Sequence, residues 1–197
     1  MLIRQADAVF SGDWKYRIDY RWRDMSRISP NLPLAVVVAE DQRFPLHNGF
    51  DFKSIEKAYR SNLHGRKVRG ASTISQQLAK NLFLWGGRSY LRKGLEAWYT
   101  MWIELLWSKR RILEVYVNVV EFSDGVYGAE AAAQRLFRTP AKNLSTAQAS
   151  RLAAVLPNPK VYDAKNPGPY VQRRAHSIER QMRALGGNAY LKQCCSR

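Results

Sequence analysis

Apolar positions recur along most of this chain with the spacing of a helix rather than a strand. Leu34-Ala35-Val36-Val37-Val38-Ala39 could be a strand by its β-branching, but it runs unbroken into Glu40-Asp41, which favours a buried helix ending near Asp41. Asp51 is placed to cap a helix whose face is Ile55, Ala58, Tyr59 and Leu63 and which stops at His64-Gly65. Ser72 or Thr73 opens the next, with Thr73-x-x-Gln76 as a capping box and Ile74, Leu78 and Leu82 as its apolar face. Opposite lies a largely uncharged polar stripe of Thr73, Gln76, Gln77 and Lys80, which reads as a binding face. Gly86-Gly87 ends that helix. A long helical pattern then runs from Tyr90 to about Val119, with Leu95, Trp98, Trp102, Leu105, Leu106, Ile112, Leu113 and Tyr116 on its apolar side.

Beyond Gly125 and Gly128 the pattern predicts an Ala-rich helix from Ala129 to Leu136 and another from Thr146 through Val155, stopped by Pro157-Asn158-Pro159. A basic helix from Pro169 to Leu185 closes at Gly186-Gly187. Residues 1–30, with Trp14, Tyr16, Tyr20 and Trp22, read as a lead-in carrying one short helix, and residues 31–197 as one mainly α domain of about eight or more helices. There is no internal repeat. The longest apolar run near the N-terminus falls short of the roughly 20 residues a membrane span needs, so the expectation is a soluble chain or one without its anchor.

Charge narrows the partners. The chain carries 32 Lys and Arg against 16 Asp and Glu, a net +16, which concentrates anionic ligands such as lipid headgroups, phosphates or nucleic acid. Arg60, Arg66, Lys67 and Arg69 form one cluster and Lys109, Arg110 and Arg111 another, and the tail beyond Tyr170 is basic. Cys194 and Cys195 are adjacent and imply no disulfide framework, and His47, His64 and His176 are too scattered for a zinc site. No phosphate loop, nucleophile elbow or nucleic-acid recognition signature is present.

Two carboxylates stand out. Glu40 follows an apolar segment, so desolvation should raise its basicity into the range of a general base. Glu96 shares a helix face with Arg92 and Lys93, and with Arg88 and Lys80 these cations would clamp a pyrophosphate. The plain alternative for Glu96 is a surface salt-bridge ladder.

Taken in order, these runs resemble the five motifs of the family 51 glycosyltransferases, the peptidoglycan polymerases. Glu40-Asp41-x-x-Phe44-x-x-His47-x-Gly49-x-Asp51 is similar to the first, and Gly70-Ala71-Ser72-Thr73-Ile74-Ser75-Gln76-Gln77-x-x-Lys80-Asn81 to the second. Arg92-Lys93-x-x-Glu96 resembles the third, the run from Lys109 through Glu114 and Tyr116 to Asn118 the fourth, and Gly125-x-x-Gly128-x-x-x-Ala132 the fifth. The likeness covers about residues 30–185, departs at Ala71 and at Leu136-Phe137, and fits the monofunctional branch, because no transpeptidase domain follows.

The resemblance implies a lysozyme-like fold and lipid II as substrate, joined into β-1,4-linked glycan with inversion and release of undecaprenyl pyrophosphate. Glu40 would be the base, with Glu96 the second catalytic carboxylate. Asp41, Phe44, His47, Ser72, Thr73, Gln76, Gln77, Lys80, Asn81, Arg88, Arg92 and Lys93 would bind substrate, while Glu114, Asn118, Gly125 and Gly128 would be structural. No cofactor would be obligatory, with Mg or Mn held at Glu96 as a helper. Partners would be the growing lipid-linked glycan, the membrane surface and cell-wall synthesis or division proteins, with no nucleic acid, at the periplasmic face of a bacterial inner membrane. Leu82-Phe83-Leu84-Trp85 is suited to dip into the lipid interface, and equally to pack in the core.

Two rivals predict otherwise. A lysozyme-like hydrolase would need a neutral carboxyl as general acid, and the cations beside Glu96 oppose that service. A nucleic-acid-binding module would be indifferent to loss of Glu40.

Overall fold

The buried apolar run forms the central helix of the molecule. In a computed structural model that describes residues 17–56, 72–87 and 89–195, helix α1 spans Asn31–Glu40. Every residue from Leu32 to Val38 is buried, so tertiary packing overrides the β-preference of Val36, Val37 and Val38. Residue 33 is a proline, tolerated in the first turn, where its missing N–H costs no hydrogen bond.

Helix α2 (Ile74–Phe83) starts at the expected capping box, and α3 covers Tyr90–Leu106. The continuous helix expected from Tyr90 to Val119 is in fact two. Trp107 and Ser108 are extended, the Ser108 hydroxyl accepts from the Arg111 N–H, and α4 runs Lys109–Val119. A serine N-cap makes this break without Gly or Pro, so the apolar period carries no interruption.

The packing of α3 also departs from expectation. Its buried residues are Glu96, Thr100 and Ile103, whereas Trp98, Met101, Trp102, Leu105 and Leu106 are exposed. The stripe expected in the core faces outward over this helix, and only its α4 continuation (Ile112, Leu113, Tyr116) is interior.

Three short strands, not expected from the sequence, complete this region. β1 (Asp19–Tyr20) pairs in parallel with β3 (Val126–Tyr127), which pairs antiparallel with β2 (Glu121–Ser123) through an irregular register. Among the described residues before Pro30, the only helical turn is a 3-10 turn at Met25–Arg27. This stretch is tied to the domain, since Asn118 accepts from the Arg23 N–H and donates to the Arg23 carbonyl, and Glu114 accepts from the Met25 N–H at 2.7 Å. Gly128, at φ +83°, passes so close to α4 that a Cβ there would lie 2.4 Å from the Asn118 carbonyl oxygen.

The remaining helices are α5 (Ala129–Phe137), α6 (Thr146–Val155), α7 (Pro169–Ala184) and a short α8 (Ala189–Cys195) that the sequence pattern does not predict. Helix α1 packs on α4, α6 and α7, and α2 packs on α3 and α4. The result is the mainly α, lysozyme-like class the sequence implied. Trp14, Tyr16, the rest of the helix expected beyond residue 56 (Ala58, Tyr59, Leu63), the basic cluster of Arg60, Arg66, Lys67 and Arg69, Gly70, Ala71 and Arg88 lie outside the described residues.

Candidate active site

Glu40 is the last residue of α1, where the helix turns from the core toward solvent. Its carboxylate is mostly enclosed and receives one hydrogen bond on each oxygen. Gln77 Nε2 of α2 donates to Oε2 at 3.0 Å and Arg174 Nη2 of α7 to Oε1 at 3.2 Å. Burial pushes the Glu40 carboxyl above its ordinary value, against the pull of Gln77, Arg174 and Lys80. The direction is the one expected from its place at the end of an apolar run. Behind Gln77, the Tyr116 hydroxyl of α4 donates to Oε1 at 2.8 Å.

The start of α2 is held by groups that the sequence reading assigned to substrate. The Thr73 hydroxyl accepts from the Gln76 N–H and donates to the Gly49 carbonyl at 2.6 Å, while Gln76 Oε1 accepts from the Thr73 N–H. Asp41 Oδ2 accepts from the Ile74 N–H at 3.0 Å, and Asp41 is paired with His47 Nε2 at 2.9 Å. Thr73, Gln76, Asp41 and His47 therefore spend these groups within the protein. Phe44 is fully buried, with Lys109 Nζ 4.5 Å above its ring. Ser72, Lys80 and Asn81 are exposed, Ser72 just before the helix and the other two along it.

Glu96 forms a second centre on α3. It is buried and accepts from Arg92 Nη1 at 3.3 Å and Lys93 Nζ at 2.5 Å. Both carboxylate oxygens are thus taken by cations, and no group of three or more His, Cys, Asp or Glu side chains converges among the described residues. That donor set does not fit a divalent ion held by Glu96. The pair instead presents a buried anion holding two cations, which suits a ligand carrying phosphate.

Asp51 caps the turn at 52–56 through the Ser54 N–H and hydroxyl. Burial disfavours its charge, but Ser54 and Arg43 together hold its carboxyl below the usual value. Glu114 and Asn118 tie α4 to residues 23–25, and the Gly125 carbonyl accepts from the Asp19 N–H. Two groups around Glu40 escape the sequence reading. Arg174 stands out there only as one of many basic residues in the tail, and Tyr116 only as an apolar position inside the run that resembles the fourth motif, with no role attached. Neither has a local signal, since Arg174 reaches a carboxylate 134 residues away.

A model of the transglycosylase family matches residues 9–183. The chain is 59% identical over 191 residues to a biosynthetic peptidoglycan transglycosylase of Xanthomonas oryzae, covering 97% of this chain and 78% of that protein. It is 56% identical to a protein of the same description from Xylella fastidiosa, covering 97% and 79%. With likeness this close over nearly its whole length, the chain belongs to the transglycosylase family and is a glycosyltransferase.

Proposed function

We propose that this peptidoglycan transglycosylase polymerises lipid II, joining its disaccharides into β-1,4-linked glycan and releasing undecaprenyl pyrophosphate. The observation that carries the reading is the Glu40 carboxylate, enclosed enough to be made more basic yet still reached from the surface bearing Lys80. Glu40 takes the proton from the 4-hydroxyl of the acceptor GlcNAc. The freed oxygen forms its bond to C1 of the lipid-linked donor as the C1–O bond to pyrophosphate breaks, with inversion at C1. The proton then passes from Glu40 to solvent.

Pyrophosphate leaves as an anion and needs charge compensation rather than a proton. Lys80, Arg92 and Lys93 are suited to that, and Glu96 holds the last two in place. A hydrolase of the lysozyme type would use a neutral acid as partner to Glu40. Glu96, with a cation on each oxygen, is poorly suited to that role.

The lipid tails of donor and product stay in the bilayer, so the enzyme works at the membrane surface of the cell envelope, on the periplasmic face of the inner membrane in this reading. The outward stripe of α3 supports this docking. Trp98, Met101, Trp102 and Leu105 are exposed there, and Phe83 and Trp85 are exposed at the end of α2, which packs on α3. Among the described residues no helix is long and apolar enough to cross a membrane.

The test is lipid II polymerisation in detergent, with glycan resolved by gel, for the wild type and Glu40→Gln. Long glycan from the wild type and none from a folded variant is the expected result. Equal product from both would remove Glu40 as the base.

A further inference from the structure

We propose that Tyr116 is a positioning residue for glycosyl transfer: its buried hydroxyl holds the side-chain amide of Gln77, and through it one oxygen of Glu40. The inference rests on Glu40 being the base of the reaction.

Three helices contribute one link each. Tyr116 (α4) is fully buried and donates to Gln77 Oε1 at 2.8 Å, and Gln77 (α2) donates from Nε2 to Glu40 Oε2 (α1) at 3.0 Å. The direction of each bond follows from what each group is able to do. A carboxylate only accepts, so the amide must turn its NH2 toward Glu40. That leaves Oε1 facing the phenol, which must donate. Burial, then the charges of Glu40 and Asp41, push ionisation of the Tyr116 hydroxyl well above its ordinary value, so it keeps its proton throughout the working range. Donor and acceptor roles therefore run one way from the core to the base.

The consequence is geometric. Arg174 approaches Oε1 of Glu40 from α7, and Gln77 approaches Oε2 from α2. With one bond on each oxygen, the carboxyl plane is held from two sides while other lone pairs remain for the incoming hydroxyl proton. Arg174 is itself anchored by α7 and by the Ala39 carbonyl, which accepts from the same nitrogen at 3.3 Å. Gln77 is a flexible side chain on a half-buried face, and the only hydrogen bond described to its Oε1 comes from Tyr116. Without the phenol hydroxyl, Oε1 is unpaired and the amide is free to leave Glu40.

The measurement is kcat and KM for lipid II polymerisation across pH in the full chain carrying Tyr116→Phe, a change that keeps the ring in the core. The expected result is a fall in kcat of about tenfold, the scale of one hydrogen bond to a charged group, with KM little changed. The acid limb of kcat should also move to higher pH. Gln77 lowers the Glu40 pKa, so a loosened amide leaves the base protonated further up the scale. The charged groups acting on Glu40 are Arg174 from α7 and Lys80 from α2, while Asp41, next in the chain, is paired with His47, and all are unchanged in the variant.

A double cycle with Gln77→Leu separates positioning from packing. Tyr116→Phe should add no further loss when Gln77→Leu is already present, because its effect passes through the amide. A variant that melts lower but keeps the wild-type kcat and acid limb overturns the inference. So does an undiminished tenfold loss from Tyr116→Phe on top of Gln77→Leu. If Glu40→Gln polymerises normally, the assignment of the base fails and this inference with it. If Glu40→Gln is dead while Tyr116→Phe behaves as wild type, only the positioning role fails.

Discussion

Replacing Trp98 and Trp102 together by Gln separates a membrane face from a core face, because the two readings predict opposite results in two measurements. Trp98 is 53% exposed and Trp102 43%, with their rings in edge contact at 5.7 Å. An indole side chain offers ~200 Å², so the two expose roughly 200 Å² between them, worth ~5 kcal/mol at about 25 cal/mol/Å² if wholly removed from water. Interfacial seating removes about half, leaving ~2.5 kcal/mol, or a loss of roughly 60-fold in partitioning. The cost to folding should be small, since only the ring pair is lost, at about 1 kcal/mol or less, or under ~4 °C in melting temperature for a chain of this size. Truncating two core tryptophans would cost about 3–5 kcal/mol each. The assay is co-sedimentation with anionic vesicles at high salt, which screens the basic surface, alongside calorimetry of the free protein. Unchanged partitioning with a steep fall in melting temperature would refute the outward assignment of α3.

Gly128→Ala places a Cβ 2.4 Å from the Asn118 carbonyl oxygen at a φ of +83° that L-residues avoid. The expected cost is at least about 3 kcal/mol, seen by calorimetry as a drop of ~6 °C or more, and a shift under ~2 °C would show that β3 and α4 yield easily. Glu130 is buried, which disfavours its charge, yet the Ala141 N–H, Gln134 and Arg23 together hold its carboxyl below the ordinary value. It should therefore stabilise the fold fully above the unfolded carboxylate range and lose that contribution as pH falls through its lower folded value. Denaturation of Glu130→Gln should show a deficit of about 2 kcal/mol at neutral pH that shrinks as pH falls through the lowered folded value, and a deficit that is constant with pH would contradict the ionic account.

The elements legible in the sequence are those whose signals are local. An apolar run ending in two carboxylates reads correctly as a buried helix, and Thr73-x-x-Gln76 reads correctly as a capping box. The same capping box explains a limit of that reading. The groups that make Thr73 and Gln76 look like sugar ligands are those that close the first turn of α2. Periodicity identifies the residues sharing the face of α3 but not the direction of that face, because a membrane-facing stripe and a core stripe have the same spacing. The break at Ser108 has no Gly or Pro to announce it, and strands of two or three residues are too short to form a pattern. Arg174 and Tyr116 meet the Glu40 network only through tertiary packing, so nothing in their own neighbourhoods, not even the motif that contains Tyr116, points to Glu40.

The first turn of α2 sets an angular phase. Gly49 holds Thr73, Asp41 holds the Ile74 amide, and Gln76 closes back on Thr73, so the helix begins at one rotation and one height. Each residue beyond that point advances by about 100° around the axis, which brings Gln77 to Glu40 one turn later and Lys80 to the open side after another. A slip of one residue at Thr73 would turn Gln77 by the same angle, out of reach of both Tyr116 and Glu40. The contacts joining Asp41 to Ile74 and Gly49 to Thr73 act as the index mark of a dial. The alignment of the Gln77 amide on Glu40 is decided a full turn away from the carboxylate it meets.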